Sequence, residues 1–304
     1  MVMRMSGLQR LRRTEGRHAL VDGIPFTLPV DSKDTAALMA AFPISLAKAE
    51  AALPGNEVHA LSFGGKGVLV VTVVDYRKTD IGKYIEFSLA IACTHGRRAA
   101  SPYLPLLMPR LFGTGQFVVD LPVSTEVSVK GGKGIWGMPK HQANLNFIVG
   151  DTSVSSQYDL DDKLCVKVEV KKPSFSGIPL RVSAANLCEF RGMLMKSYIH
   201  FQGSAGINLF DSAAAQLSLG DHPRAEKLKE LEIEPRALFS AYIPKARGVL
   251  DDYFESWFVS HDRAPAASTE GLESVIGLGQ GQEWLEPPHA LPSTPPVATP
   301  TVTA

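Results

Sequence analysis

Strand-like patterns dominate this chain from residue 67 onward. Residues 67–76, Gly-Val-Leu-Val-Val-Thr-Val-Val-Asp-Tyr, are β-branched and apolar almost throughout, which suits a strand buried on both faces. Residues 83–93 alternate: Ile85, Phe87, Leu89 and Ile91 form an apolar face, and Tyr84, Glu86, Ser88 and Ala90 a small, polar one. Phe117 to Leu121 predicts a further strand. Residues 152–158 and 163–171 predict a hairpin across Asp159–Asp162, with Leu164, Val166, Val168 and Val170 facing inward. Met193 to Gln202, Gly206 to Leu209 and the segment from Ala237 complete the strand set, and Gly248-Val-Leu-Asp-Asp-Tyr follows. Helices are few and short. Asp31 or Ser32 is a candidate cap for a helix through Ala36, Leu38 and Met39 to Phe42, stopped by Pro43. Others are expected at Ser45–Leu53 and Pro223–Leu231, and a short one, capped by Ser124, around Val127 and Val129. Ile24 to Val30 reads as extended, and residues 97–113 as irregular, interrupted by Pro102, Pro105 and Pro109.

The stretch 130–147 does not fit this scheme simply. Gly131, Gly132, Gly134 and Gly137 predict a turn region. Ala143, Leu145 and Phe147 then alternate with Gln142, Asn144 and Asn146, as in a half-buried strand. Between the two lies Lys140, after Pro139, entering the strand from a stiff corner flanked by Trp136 and Met138 and sharing a face with Gln142 and Asn144. Gly132 to Gly137 fits G-x-G-x-x-G, but a dinucleotide site needs a helix opening from the pattern, and Pro139 with a period-two run follows instead. Lysines are mostly exposed, so spacing alone permits a surface lysine that starts a strand. The alternative is a desolvated amine poised to attack a carbonyl. Glu86 is equally two-sided: a solvent-facing carboxylate, or one inside a pocket.

Composition narrows the function classes. The chain has 304 residues, 45% hydrophobic and 20% charged, as in an ordinary globular protein. Lys plus Arg and Asp plus Glu both total 31, which argues against a bulk nucleic-acid binder. Cys93, Cys165 and Cys188 are few, odd in number and far apart, so neither a disulfide scaffold nor a zinc ribbon is expected. The eight histidines show no H-x-x-x-H or H-E-x-x-H spacing, and no metal or other cofactor is expected. Met1 to Arg13 is basic without a following apolar run, unlike a secretory signal. The longest apolar run, Val68 to Val74, is too short to span a bilayer. A cytoplasmic location without membrane or nucleic-acid partners is therefore the expectation. Three segments are expected: a loose arm over residues 1–22, a domain over 23–260, and a Pro/Thr-rich disordered tail over 261–304, which lacks the apolar content to join a core, with local docking of Leu272 to Trp284 as the alternative.

Gly132-Lys133-Gly134-Ile135-Trp136-Gly137-Met138-Pro139-Lys140-His141 resembles the Schiff-base lysine motif of the acetoacetate decarboxylase family, with Lys140 on the reactive lysine. Gly134 stands where the family has Glu, Met138 where it has an aromatic, and His141 where it has a second lysine. Tyr84-Ile85-Glu86 resembles the family's Tyr-x-Glu, whose glutamate lines the pocket. Val71 takes the place of a second family acid. The family's carboxylate-binding arginine has no counterpart near Gly23 to Thr27, and Arg17 is the nearest candidate. Leu217 to Phe254 also resembles the family's C-terminal region, so the resemblance covers residues 25–258.

The resemblance implies an α+β fold, mainly antiparallel β: a closed, barrel-like sheet with peripheral short helices around a deep apolar pocket. Lys140 and Glu86 would be the catalytic pair, and Tyr84, Trp136, Met138 and His141 would contact the substrate. No cofactor is implied. A small oxo acid is the expected partner, and a homo-oligomer the expected assembly. The activity implied is decarboxylation of a small β-keto acid by a Schiff-base carbon–carbon lyase. A Schiff-base aldolase or dehydratase needs the same lysine without the arginine, and a non-catalytic small-ligand-binding protein is the alternative of another class. Attack needs the neutral amine, and a free lysine with pKa near 10.4 offers only about one part in a few thousand at pH 7.

Overall fold

A computed structural model describes residues 16–175, 177–190, 192–209 and 211–262. The tail from residue 263, including Leu272 to Trp284, and most of the expected N-terminal arm lie outside the described residues. The elements in chain order are β1 (Arg17–Val21), β2 (Ile24–Leu28), β3 (Val30–Ile44), α1 (Leu46–Ala51), β4 (Val58–Ala60), β5 (Gly67–Thr79), β6 (Tyr84–His95), α2 (Leu104–Leu107) and β7 (Gly115–Val123). They continue with α3 (Glu126–Trp136), β8 (Lys140–Gln142), β9 (Asn144–Leu145), β10 (Ile148–Val149), β11 (Ser153–Leu160), β12 (Lys163–Lys171), β13 (Ile178–Phe190), β14 (Met193–Asn208), β15 (Ala215–Leu219), α4 (Pro223–Lys229) and β16 (Phe239–Phe258).

Nine strands form one sheet in the order β4-β6-β5-β3-β16-β14-β13-β7-β8. A further β6–β7 ladder joins its two ends, so that β6, β5, β3, β16, β14, β13 and β7 close into a barrel. The pairings are antiparallel except β13–β7 and β7–β8. A second sheet, β10-β11-β12-β15 with β9 also on β11, covers part of the barrel's outer surface. There Val154, Tyr158, Val166 and Val168 pack with Phe87, Leu89 and Ile91. A different cluster, containing Phe26, Tyr76, Tyr84, Trp136 and Met138, forms around the barrel interior. Both faces of β5 and β6 are therefore buried, and apolar runs and alternation both occur along them.

Four expectations fail for identifiable reasons. Residues 31–42 are not helical but form β3, bonded on one side to β5 and on the other to β16. With both faces buried, its Ala-rich run loses the alternation that marks a strand, and short apolar runs do not separate helix from strand. The glycines of 130–137 do not form a turn; they lie in α3 and at its end. Thr125, not Ser124, is its N-cap, accepting from the Ser128 N–H at 3.4 Å, and Lys130 pairs with Glu126 at 3.1 Å one turn earlier. Only Gly137 leaves the helix, at φ 66°. The strand expected after Lys140 is broken into β8, β9 and β10. Met193 to Leu209 is not two strands but β14, running from Met193 to Asn208 with irregularities near Ser197 and Ala205. β13 and β15 were not expected at all, and Arg17–Val21 of the expected arm form β1, paired with β2.

Candidate active site

β8 sets the position of Lys140. It joins the edge of β7 that faces away from β6, with Lys140 opposite Leu121. The β6–β7 ladder shifts register at Leu89/Ala90, which leaves Val119 without a partner. This bulge turns Asp120 to the barrel exterior and Leu121 to the interior, and β8 follows the same alternation. Lys140 therefore enters the barrel, while His141 faces out.

Inside, Lys140 Nζ lies 2.6 Å from Glu86 Oε2 and donates to Ser128 Oγ at 3.1 Å. The two charged side chains are 6% and 8% exposed, so this is a buried ion pair. The Tyr84 ring centroid is 5.5 Å from Nζ. Tyr84 stacks on Tyr76 at 4.5 Å, and burial first, then the nearby Glu86, pushes both phenols well above their ordinary value. α3 supplies Ser128, and it packs so closely that a Cβ on Gly132 would fall on Cδ and Cε of Lys140. Trp136, at the last turn of α3, is fixed by its indole N–H donating to the Asp251 carbonyl at 2.9 Å.

The pair opens onto a cavity of about 140 Å³ inside the barrel, lined also by Trp136, Met138, Val118, Leu121, Ile243 and Leu250. Among the described residues its only charged lining residues are Lys140 and Glu86; Thr72, Ser88, Gln116 and Asn186 are among the polar remainder. Gln116 donates to Asn186 at 2.6 Å, whereas the buried Thr72 hydroxyl finds no partner among the described residues. A larger cavity of about 330 Å³ lies outside the barrel between β7 and α4, and it holds neither Lys140 nor Glu86.

The geometry thus brings Lys140, Glu86, Tyr84, Trp136 and Met138 together. It does not bring His141, which was expected at the substrate. His141 Nε2 meets Asp120 at 2.9 Å on the barrel exterior, because adjacent strand residues face opposite ways. Asp120 also accepts from Tyr158 Oη at 2.7 Å and Arg224 at 3.2 Å. Burial alone would raise the Asp120 carboxyl; His141, Arg224 and Tyr158 outweigh it and hold the group below its ordinary value. Arg17 is half exposed and grips Asp252 through two bonds of 2.5 and 2.6 Å, away from the cavity. Val71 belongs to the outer core, and the cavity-facing positions beside it are Thr72 and Val74. Sequence reasoning missed Thr72, Ser128 and the role of Gly132. No local signal marks them, since each matters through an element distant in the chain.

The structure is thus a closed barrel with a buried lysine–carboxylate pair facing an apolar cavity. The sequence matches the family Acetoacetate decarboxylase (ADC) over residues 13–176, more than half the chain, and the protein belongs to that family. No curated protein matches the sequence. Among solved structures, an acetoacetate decarboxylase from Legionella pneumophila subsp. pneumophila str. Philadelphia 1 is similar at 15% identity and TM-score 0.58, covering 75% of this chain and 87% of that one. The enduracididine biosynthesis enzyme MppR complexed with pyruvate is similar at 13% identity and TM-score 0.53, covering 75% and 90%. These likenesses concern the fold. Among the described residues no helix is long and apolar enough to cross a membrane.

Proposed function

We propose that this protein is a Schiff-base-forming carbon–carbon lyase that decarboxylates a small β-keto acid through Lys140. The observation that carries this reading is the buried Lys140–Glu86 pair at 2.6 Å, facing an apolar cavity. A proton passed from Lys140 to Glu86 leaves a neutral amine inside the cavity. Its nitrogen attacks the ketone carbon, Glu86 returns the proton to the departing oxygen, and water leaves an iminium. The bond to the carboxylate then breaks, its electrons move to the iminium, and carbon dioxide departs from an enamine. A proton from solvent, relayed by Glu86, reaches the vacated carbon, and water hydrolyses the iminium to free the ketone. One proton is consumed per carbon dioxide released. Tyr84, Trp136 and Met138 keep water and charge away from the amine.

A second reading uses the same lysine for aldol or dehydration chemistry. It is favoured by the absence of any arginine from the cavity lining among the described residues. The similar MppR is also known with a condensation product of pyruvate and imidazole 4-carboxaldehyde, at 12% identity.

Borohydride reduction in the presence of acetoacetate or pyruvate, read by intact mass and peptide mapping, tests both. An adduct on Lys140 is expected, and carbon dioxide release separates decarboxylation from aldol chemistry. Lys196 is the internal control: it too is buried, and burial lowers its pKa. An adduct on Lys196 instead of Lys140 would overturn the assignment, and no adduct at all would favour a ligand-binding protein.

A further inference from the structure

A β-keto acid brings a second negative charge into a cavity where Lys140 and Glu86 already cancel. Burying a carboxylate without donors is costly, and among the described residues no guanidinium lines the cavity. What the cavity does offer beside the pair is hydroxyls. Ser88 is two residues along β6 from Glu86 and on the same face, about 7 Å away along the strand. Directly across the ladder from Ser88 stands Thr72, whose buried Oγ1 has no partner among the described residues. Buried polar groups are nearly always bonded, so an orphan hydroxyl at a cavity wall points to a ligand atom. Beyond these two the wall is mainly apolar, through Val118, Ile243, Ile199 and Phe201, and Gln116 and Asn186 bond to each other; it ends at Val182, which is 40% exposed and marks the rim. An engineered cavity of ~150 Å³ in another protein holds one benzene molecule. Here about 140 Å³ accepts the reacting atoms of an oxo acid, and the opening at Val182 lets an acyl group extend beyond them.

We propose that the substrate is a β-keto acid with an apolar acyl group longer than acetyl. Its carboxylate is held by the Thr72 and Ser88 hydroxyls, and its tail lies along the barrel wall towards Val182. This rests on the reading of Lys140 as the reacting amine. Neutral hydroxyls hold a carboxylate more weakly than a guanidinium, which suits a group that must leave as carbon dioxide.

The test compares acetoacetate with 3-oxohexanoate, and each with its product ketone, acetone or 2-pentanone, on the full chain and on Thr72→Val. Each methylene removed from water raises affinity about fourfold, so 3-oxohexanoate should exceed acetoacetate by about fifteenfold in kcat/KM. Thr72→Val keeps the shape and removes the donor. It should lower kcat/KM for 3-oxohexanoate about tenfold or more, relative to borohydride trapping of 2-pentanone on the same variant. Trapping of ketones on Lys140 with no chain-length preference, or no acid-specific loss in Thr72→Val, would overturn this proposal while leaving the lysine reading in place. No trapping by any of the four compounds would overturn both.

Discussion

Gly132→Ala separates the fold from the chemistry. Gly132 lies inside α3, where alanine is favoured over glycine by about 1 kcal/mol. Its new Cβ would stand 2.7 Å from Lys140 Cε, and closer still to Cδ. Carbon atoms rest at about 3.5–4.0 Å, so the lysine stem must withdraw by roughly 1 Å. The stem is flexible and the helix is not, so the side chain gives way. The amine then leaves its 2.6 Å contact with Glu86 and its 3.1 Å bond to Ser128. A displacement of that size in a reacting group costs about a hundredfold in rate. Parting a buried ion pair costs more than the alanine gains, so the variant is expected to keep the parental circular dichroism spectrum at ambient temperature but to melt below the parent, while borohydride trapping of acetoacetate on Lys140 slows by about two orders of magnitude. Trapping at the parental rate would show that α3 does not fix the lysine. Loss of the folded spectrum at ambient temperature would show that the helix, not the side chain, yields.

Glu86→Gln should lower turnover about a hundredfold with the cavity intact, and kinetics with a folded variant check it. Removing one partner of a buried ion pair strands the other at about 3–5 kcal/mol, so Lys140→Met combined with Glu86→Gln should fold better than Lys140→Met alone, and neither should trap an oxo acid. Asp120→Asn should destabilise the protein by about 1–3 kcal/mol at neutral pH. Because the folded-state carboxyl sits below its ordinary value, that difference should be present above about pH 4 and disappear as pH falls through the folded-state value, which denaturant titrations at several pH values measure. His141→Lys should leave the pH profile of trapping unchanged, since the new ammonium would meet Asp120 outside the barrel. Truncation after Asp262 should preserve the melting temperature, whereas truncation after Phe258 should lower it, because Val259, Ser260 and His261 bond to Gly192, Glu57 and Glu189.

Several features were legible in the residues. The β12 alternation, the doubly buried β5 and the facing of Tyr84, Glu86 and Ser88 on β6 follow from periodicity, because each strand's environment repeats every second residue. Lys140 stood out by its motif, and Glu86 by a carboxylate on an otherwise uncharged strand. Other features depended on contacts between distant segments. β3 is a strand because β5 and β16 bond to it on both sides, which outweighs its helix-forming alanines. The glycines of α3 serve the close passage of a helix over the Lys140 stem, and nothing local distinguishes that use from a turn. The resemblance paired Lys140 with Glu86, 54 positions apart in the sequence, but tertiary structure decided that they meet at 2.6 Å and that His141 does not join them. The bulge at Val119 and the edge of β7 on which β8 lands make that choice, and both are properties of strand pairing rather than of any single segment.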